Sequence, residues 1–146
     1  MNAPHQPEAN EFIVKPIGFI RSPLAARTDA PRQGSEGTVE GELVIDEAYH
    51  EALLGLSPGQ RIVILYWMHQ AARDVLQVHP RHDYSKPLRG VFATRSPARP
   101  NPIALDTVEI LAIDGNVIKV RGLDAIDHTP LLDIKTEVRR RMAEDG

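Results

Sequence analysis

At 146 residues, with 42% hydrophobic and 25% charged residues, the chain has the composition of a single domain that can bury a core, and it is short for two. Seventeen basic residues against twenty acidic ones leave a net charge of −3, so the chain as a whole is not a basic nucleic-acid coat. The absence of cysteine excludes disulfides, thiolate zinc sites and a cysteine nucleophile, and fits a reducing compartment.

Ten glycines and twelve prolines are too many breakers for a helical bundle; they point to short strands joined by rigid turns. The polar N-terminus MNAPHQPEANE reads as a disordered tail over residues 1–11 and not as a signal peptide; no apolar run reaches membrane-spanning length, and the expected location is cytoplasmic. The folded domain is expected over 12–135, opening with a β-rich segment from Phe12 to Ile20 in which Pro16, lacking an N–H, marks an edge or bulge. From Leu24 to Gly37 there is no apolar period, which predicts a long loop of the kind that often carries function. Thr38 to Ile45 alternates as a half-buried strand does, with Val39, Gly41, Leu43 and Ile45 on one face. Asp46 is placed to cap a short helix from Glu47 to about Leu54, with Gly55 as its stop.

Arg61 to Trp67 is apolar on both faces and predicts a central strand. Gly90 to Thr94 reads as a strand and RSPARPNP as a rigid turn. Thr107–Asp114 and Val117–Leu123 read as a hairpin across Gly115-Asn116, and Leu131–Ile134 as a last short strand. The charged tail 136–146 reads as helical or frayed. About seven strands against one short helix predict a mainly β fold, a closed or nearly closed antiparallel barrel without free edges.

Charge is unevenly distributed. Between Arg73 and Arg99 six cations face two anions, a local +4 suited to a polyanion. Within Gly90 to Asp106 three prolines stiffen the turn that carries Arg95, Arg99 and Asn101, so these side chains are either oriented in advance for a ligand or merely solvated at a barrel corner. His69-Gln70 follows the central strand at the barrel mouth. There an imidazole either positions a ligand or exchanges protons with it, or it is a hydrogen-bonded histidine at the core edge. His79, His82 and Asp83 form HPRHD, whose spacing fits no standard metal site and whose Pro80 blocks helical alignment, so no metal is expected. Asp127 before Thr129-Pro130 either closes a tight turn or belongs to a surface reading a purine edge. The chain has no GxGxxG, no phosphate-binding P-loop and no serine nucleophile elbow, which excludes the dinucleotide-binding folds and the α/β-hydrolase arrangement on motif grounds.

As a set, GFIRSP, APRQGS, ILYWMHQ, GVFATRSPARPNPI and GLDAIDHTPLLDIK resemble the TsaA-like (TrmO) family of S-adenosylmethionine-dependent tRNA methyltransferases, in unchanged order from about Ile17 to Lys135. The resemblance implies a single-sheeted antiparallel β-barrel working as a homodimer, with the cofactor near the subunit interface. It implies cofactor contacts from Pro31, Arg32 and Gln33, from His69 and Gln70, from Arg95 and Leu105, and from Asp127, His128, Thr129 and Pro130. The implied acceptor is N6 of threonylcarbamoyl-adenosine beside the tRNA anticodon, with Arg89, Arg95, Arg99 and Asn101 toward the RNA and Asp127 or His69 as base.

Alternatives of the same fold are a methyltransferase for a small-molecule acceptor and a non-catalytic S-adenosylmethionine-binding module. Three departures from the family pattern stand out: PNPIALD for PNPIGLS, which puts Ala104 and Asp106 in place of glycine and serine; DHTP for DGTP, with His128 at the glycine; and DIKTE for DIKPY, without the tyrosine.

Overall fold

The computed structural model describes residues 10–25 and 39–138. Pro31, Arg32 and Gln33 of the expected cofactor loop, most of the N-terminal tail and residues 139–146 lie outside the described residues.

The described chain forms eight strands: β1 (Gly18–Arg21), β2 (Glu40–Ile45), β3 (Arg61–Trp67), β4 (Gln77–Val78), β5 (Arg89–Gly90), β6 (Ile103–Asp114), β7 (Val117–Arg121) and β8 (Thr129–Thr136). Six of them close a barrel in the order β1-β2-β7-β6-β3-β8, and every neighbouring pair is antiparallel. Strands β4 and β5 pair apart from it. The fold is therefore mainly β and built on a closed antiparallel barrel, as the density of breakers and short strands predicted.

The period of two decides what fills the barrel. Ile62, Ile64 and Tyr66 of β3 are buried, as are Val108 and Ile110 of β6, Ile118 and Val120 of β7, Leu43 and Ile45 of β2, Ile20 of β1 and Leu131 of β8. Strand β3 pairs with β6 on one side and β8 on the other, as every strand of the closed ring pairs with two neighbours. The β1–β2 contact needs glycine: a Cβ on Gly41 would lie 2.4 Å from the Arg21 carbonyl oxygen and 2.6 Å from Leu123 Cδ1.

The turns follow their residues. Asp46 caps a 3-10 helix, Glu47–Leu53, by accepting from the Ala48 N–H at 3.0 Å. The β6–β7 hairpin turns on Gly115 at φ +61, in the first central position where a type II′ turn requires a positive φ. Asn116 clips this end of the barrel to β2, its carbonyl accepting from Ile45 N at 2.8 Å and its side-chain amide donating to Ile45 O at 3.1 Å.

Two expected elements differ. The strand placed at Phe12–Ile20 shrinks to β1 starting at Gly18, because Phe12, Ile13 and Val14 are exposed and nothing in the described chain buries them. Gly90–Thr94 is not a strand: it contributes one short pair with β4 and then becomes a 3-10 turn, Val91–Ala93, held by Thr94 N–H and Oγ1 donating to Val91 O at 3.1 and 2.9 Å. A local hydroxyl bond there outcompetes the ladder.

Candidate functional site: a pocket at the barrel mouth and the loop beside it

The mouth is shaped where β3 meets β8. Their register shifts between Leu65 and Tyr66, Leu65 facing Asp133 but Tyr66 facing Leu131. Such a bulge re-aims side chains at a barrel rim. Here Tyr66 sits in the inward series, and its neighbours Met68, His69 and Gln70 continue past the strand end. Opposite them the chain leaves β7, passes through Asp124, Ala125 and Ile126, and re-enters the sheet at Thr129. Together these residues line a small open cavity of about 30 Å³. Its wall is part apolar (Met68, Ala125, Ile126) and part polar, and it includes one carboxylate, Asp124. An apolar wall with a few polar groups and an anion suits a small cationic organic ligand.

A cluster not anticipated from sequence closes the cavity floor. The Tyr66 hydroxyl lies 2.8 Å from Asp124 Oδ1 and 3.0 Å from Asp106 Oδ2, and the Asp124 N–H donates to Asp106 Oδ2 at 3.4 Å. Burial, then the neighbouring Asp124 carboxyl, pushes Asp106 up to about 8. Burial and the two carboxyls likewise push the Tyr66 phenol far above its ordinary range, so it stays protonated. The alternation of β6 was the signal: Asp106 shares its face with Val108 and Ile110, a carboxylate in the inward series of a barrel strand.

The DHTP turn is rigidly held. Thr129 is buried and donates to Ile126 O at 2.7 Å. The Asp127 carboxylate accepts from the Ser22 N–H at 2.9 Å and pairs with His128 Nδ1 at 2.7 Å. The Ser22 bond, and secondarily His128, hold Asp127 below the usual carboxylate range. Asp127 therefore does not cap the backbone of its own tight turn, contrary to one of its two sequence readings; its carboxylate ties the turn to Ser22, just past the end of β1. His128 stands at φ +66, a conformation natural for glycine, and its ring stacks on Phe19 with centroids 5.7 Å apart.

The prolyl turn is held just as tightly. Arg99 donates from Nε to Ser96 O at 2.8 Å and from Nη2 to Val91 O and Thr94 O at 2.5 and 2.6 Å. Arg73 donates to Pro100 O at 2.7 Å and to Asn101 Oδ1 at 3.1 Å, and its guanidinium lies 5.0 Å from the Trp67 ring centroid. Met68 N to Pro102 O at 2.8 Å and Arg99 N to Ala72 O at 3.1 Å fasten the turn to the segment after β3.

Arg99 and Asn101 thus shape the loop. Arg89 and Arg95 are exposed, and neither side chain has a hydrogen-bond or ion-pair partner among the described residues. Leu105 points away from the barrel interior, alternating with Asp106, and is 47% exposed. His69, Gln70 and Thr129 are the expected site residues that the structure brings to the pocket wall; Arg95, Leu105, Asp127, His128 and Pro130 are not among its lining residues. In the HPRHD segment His79 Nδ1 lies 2.9 Å from the Lys86 carbonyl and Asp83 accepts from Ser85. No group of three or more His, Asp or Glu side chains able to hold a metal occurs among the described residues. Nor is any described helix long and apolar enough to cross a membrane.

Comparison with known proteins adds to this geometry. The family described as tRNA-methyltransferase O N-terminal domain matches residues 19–140. A probable S-adenosyl-L-methionine-binding protein of Methanothermobacter thermautotrophicus is 48% identical over 86% of the chain and 89% of its own length. An S-adenosyl-L-methionine-binding protein of Archaeoglobus fulgidus is 47% identical over 85% of the chain and 88% of its own. Among solved structures, a crystal structure of TrmO from P. aeruginosa superposes with a TM-score of 0.73 at 30% identity, covering 90% of this chain. A second TrmO crystal structure gives 0.70 at 33% identity and the same coverage. The chain spans 57% of each of these two solved chains.

Proposed function

Because the chain belongs to the family of the tRNA-methyltransferase O N-terminal domain, we propose that it binds S-adenosylmethionine in the pocket at the barrel mouth and transfers its methyl group to N6 of threonylcarbamoyl-adenosine beside the tRNA anticodon. One observation carries the reading. His69-Gln70 and Thr129, which the motif resemblance names for the cofactor and which lie far from each other in sequence, meet on one cavity wall together with the Asp124 carboxylate. That donor set fits a ligand with an apolar body and a positive charge.

Bound there, the cofactor supplies a methyl group on a sulfonium, and the chain's part is to align an acceptor with it and take up a proton. Between the two candidate bases, His69 is the better placed, since it is exposed on the pocket rim, whereas the Asp127 carboxylate already accepts from Ser22 and pairs with His128. Exposed Arg89 and Arg95 are the residues for RNA phosphates. Exposed Leu76, Leu88, Phe92, Ile103 and Leu105 offer apolar surface for a second copy of the chain, in keeping with a homodimeric, cytoplasmic enzyme.

The test is a labelled-methyl assay on threonylcarbamoylated tRNA beside calorimetry with S-adenosylmethionine. Binding with incorporation supports the reading; binding without incorporation, over a working positive control, refutes the acceptor. A second reading, an S-adenosylmethionine-binding protein or a methyltransferase for another acceptor, is favoured by the relatives named only for that binding, which the chain matches over nearly their full length.

A further inference from the structure

Three oxygen-bearing groups meet under the pocket, and their protons can be counted. The Tyr66 hydroxyl has one proton to give, yet it lies within hydrogen-bonding distance of both Asp106 and Asp124. With both carboxyls ionised, two like charges would face each other at a barrel end. One added proton resolves this: Asp106 becomes a donor toward its partners while Tyr66 donates to Asp124. That is the state in which Asp106, pushed up to about 8, resides at neutral pH.

Among the described residues the surroundings supply no counter-charge. From β3 the pair meets Tyr66 and, in register with Asp106, Ile64; Thr129 of β8 shares the pocket lining with Asp124. Among the described residues, His69 is the one other titratable side chain on the pocket wall. Neither Asp106 nor Asp124 forms an ion pair among the described residues. Asp124 and Tyr66 line the cavity, whereas Asp106 stands behind them.

We propose that Asp106 is a positioning residue that sets, through Asp124 and Tyr66, the negative charge the pocket wall offers to the cationic end of its ligand, so that binding expels the proton the two carboxyls share. This rests on the reading of the pocket as an S-adenosylmethionine site. No bond of the ligand changes: the proton leaves the Asp106 carboxyl for solvent as the ligand's positive charge takes its place.

Calorimetric titration of the full chain with S-adenosylmethionine, from pH 6 to 9 in buffers of different ionisation enthalpy, counts the protons exchanged. The wild type is expected to release most of a proton near pH 7, with affinity rising by up to about tenfold per pH unit below pH 8 and levelling above it. Asp106→Asn keeps the shape, holds no exchangeable proton, and is expected to bind with no release and a flat profile; Asp106→Ser serves the same purpose should Asn perturb folding. His69→Gln is expected to retain the release, which separates the pair from the imidazole. S-adenosylhomocysteine, which lacks the sulfonium, distinguishes the cationic groups: no release with it assigns the subsite to the sulfonium, equal release to the ammonium. Wild-type binding without proton exchange, or matching pH profiles for wild type and Asp106→Asn, overturns the inference alone. No binding by the wild type overturns the S-adenosylmethionine reading and this inference with it.

Discussion

Replacing Asp106 by Asn is expected to stabilise the protein, and increasingly so as the pH is raised. The Asp106 carboxyl is pushed from 3.8 up to about 8 by burial and by Asp124. The folded state therefore holds a proton that the unfolded chain releases above pH ~4. Where the unfolded state binds fewer protons, stability falls with rising pH. The contribution of Asp106 is fully present below about pH 4, is lost progressively up to about pH 8, and is flat above that. Each pH unit in this window is worth about 1.4 kcal/mol, giving a ceiling of about 6 kcal/mol. Asn is nearly isosteric with the protonated acid and can still donate toward Tyr66 and Asp124, but it does not titrate. Urea unfolding followed by Trp67 fluorescence at pH 5, 6, 7, 8 and 9 measures the difference, and the other titrating groups cancel in it. The gap between variant and wild type should widen by several kcal/mol from pH 5 to 8 and then stop widening. Parallel stability curves, or a gap that narrows with pH, would refute the assignment of a shared proton to this pair.

Other consequences can be measured independently. Arg99→Ala removes three bonds from a guanidinium to the carbonyls of Val91, Thr94 and Ser96, and should cost about 2 kcal/mol, roughly 5 °C in Tm. Its effect on RNA affinity should leave the salt dependence unchanged, whereas Arg95→Ala should lower the salt slope by about 1; a reversed pattern would exchange their roles. Gly41→Ala puts a Cβ against the Arg21 carbonyl and should destabilise by more than about 2 kcal/mol, read by thermal unfolding, because backbone cannot yield as a side chain can. At His128, with φ +66, Gly should give a protein about 1 kcal/mol more stable than Ala does; equal Tm values would mean the turn relaxes out of that conformation.

The strand alternation from Glu40 to Ile45, the buried run Arg61–Trp67 and the Gly115-Asn116 hairpin were legible because each is local: a period of two, or a turn residue with an intrinsic preference. Gly90–Thr94 misled because β-branched and aromatic residues suit a strand only where a partner strand exists, and here the Thr94 hydroxyl closes a turn instead. At the site, the sequence marked His69, Gln70 and the DHTP turn but not Tyr66 or Asp124, which look like an ordinary strand aromatic and a loop acid. Asp106 stood out only as a departure from a pattern, without a role.

From its residues alone, this chain declares a proline-stiffened β domain, a cationic stretch within an acidic whole, and the motif set of a methyltransferase family. Which charges are free to act was decided by tertiary structure. Arg99 and Asp127 are held by backbone groups, while Asp106 and Asp124, eighteen residues apart, are brought beneath one tyrosine by pairing of β6 with β3 and by the return of the chain from β7. Burial and like-charge proximity depend on distance in space, and spacing along the chain does not encode them.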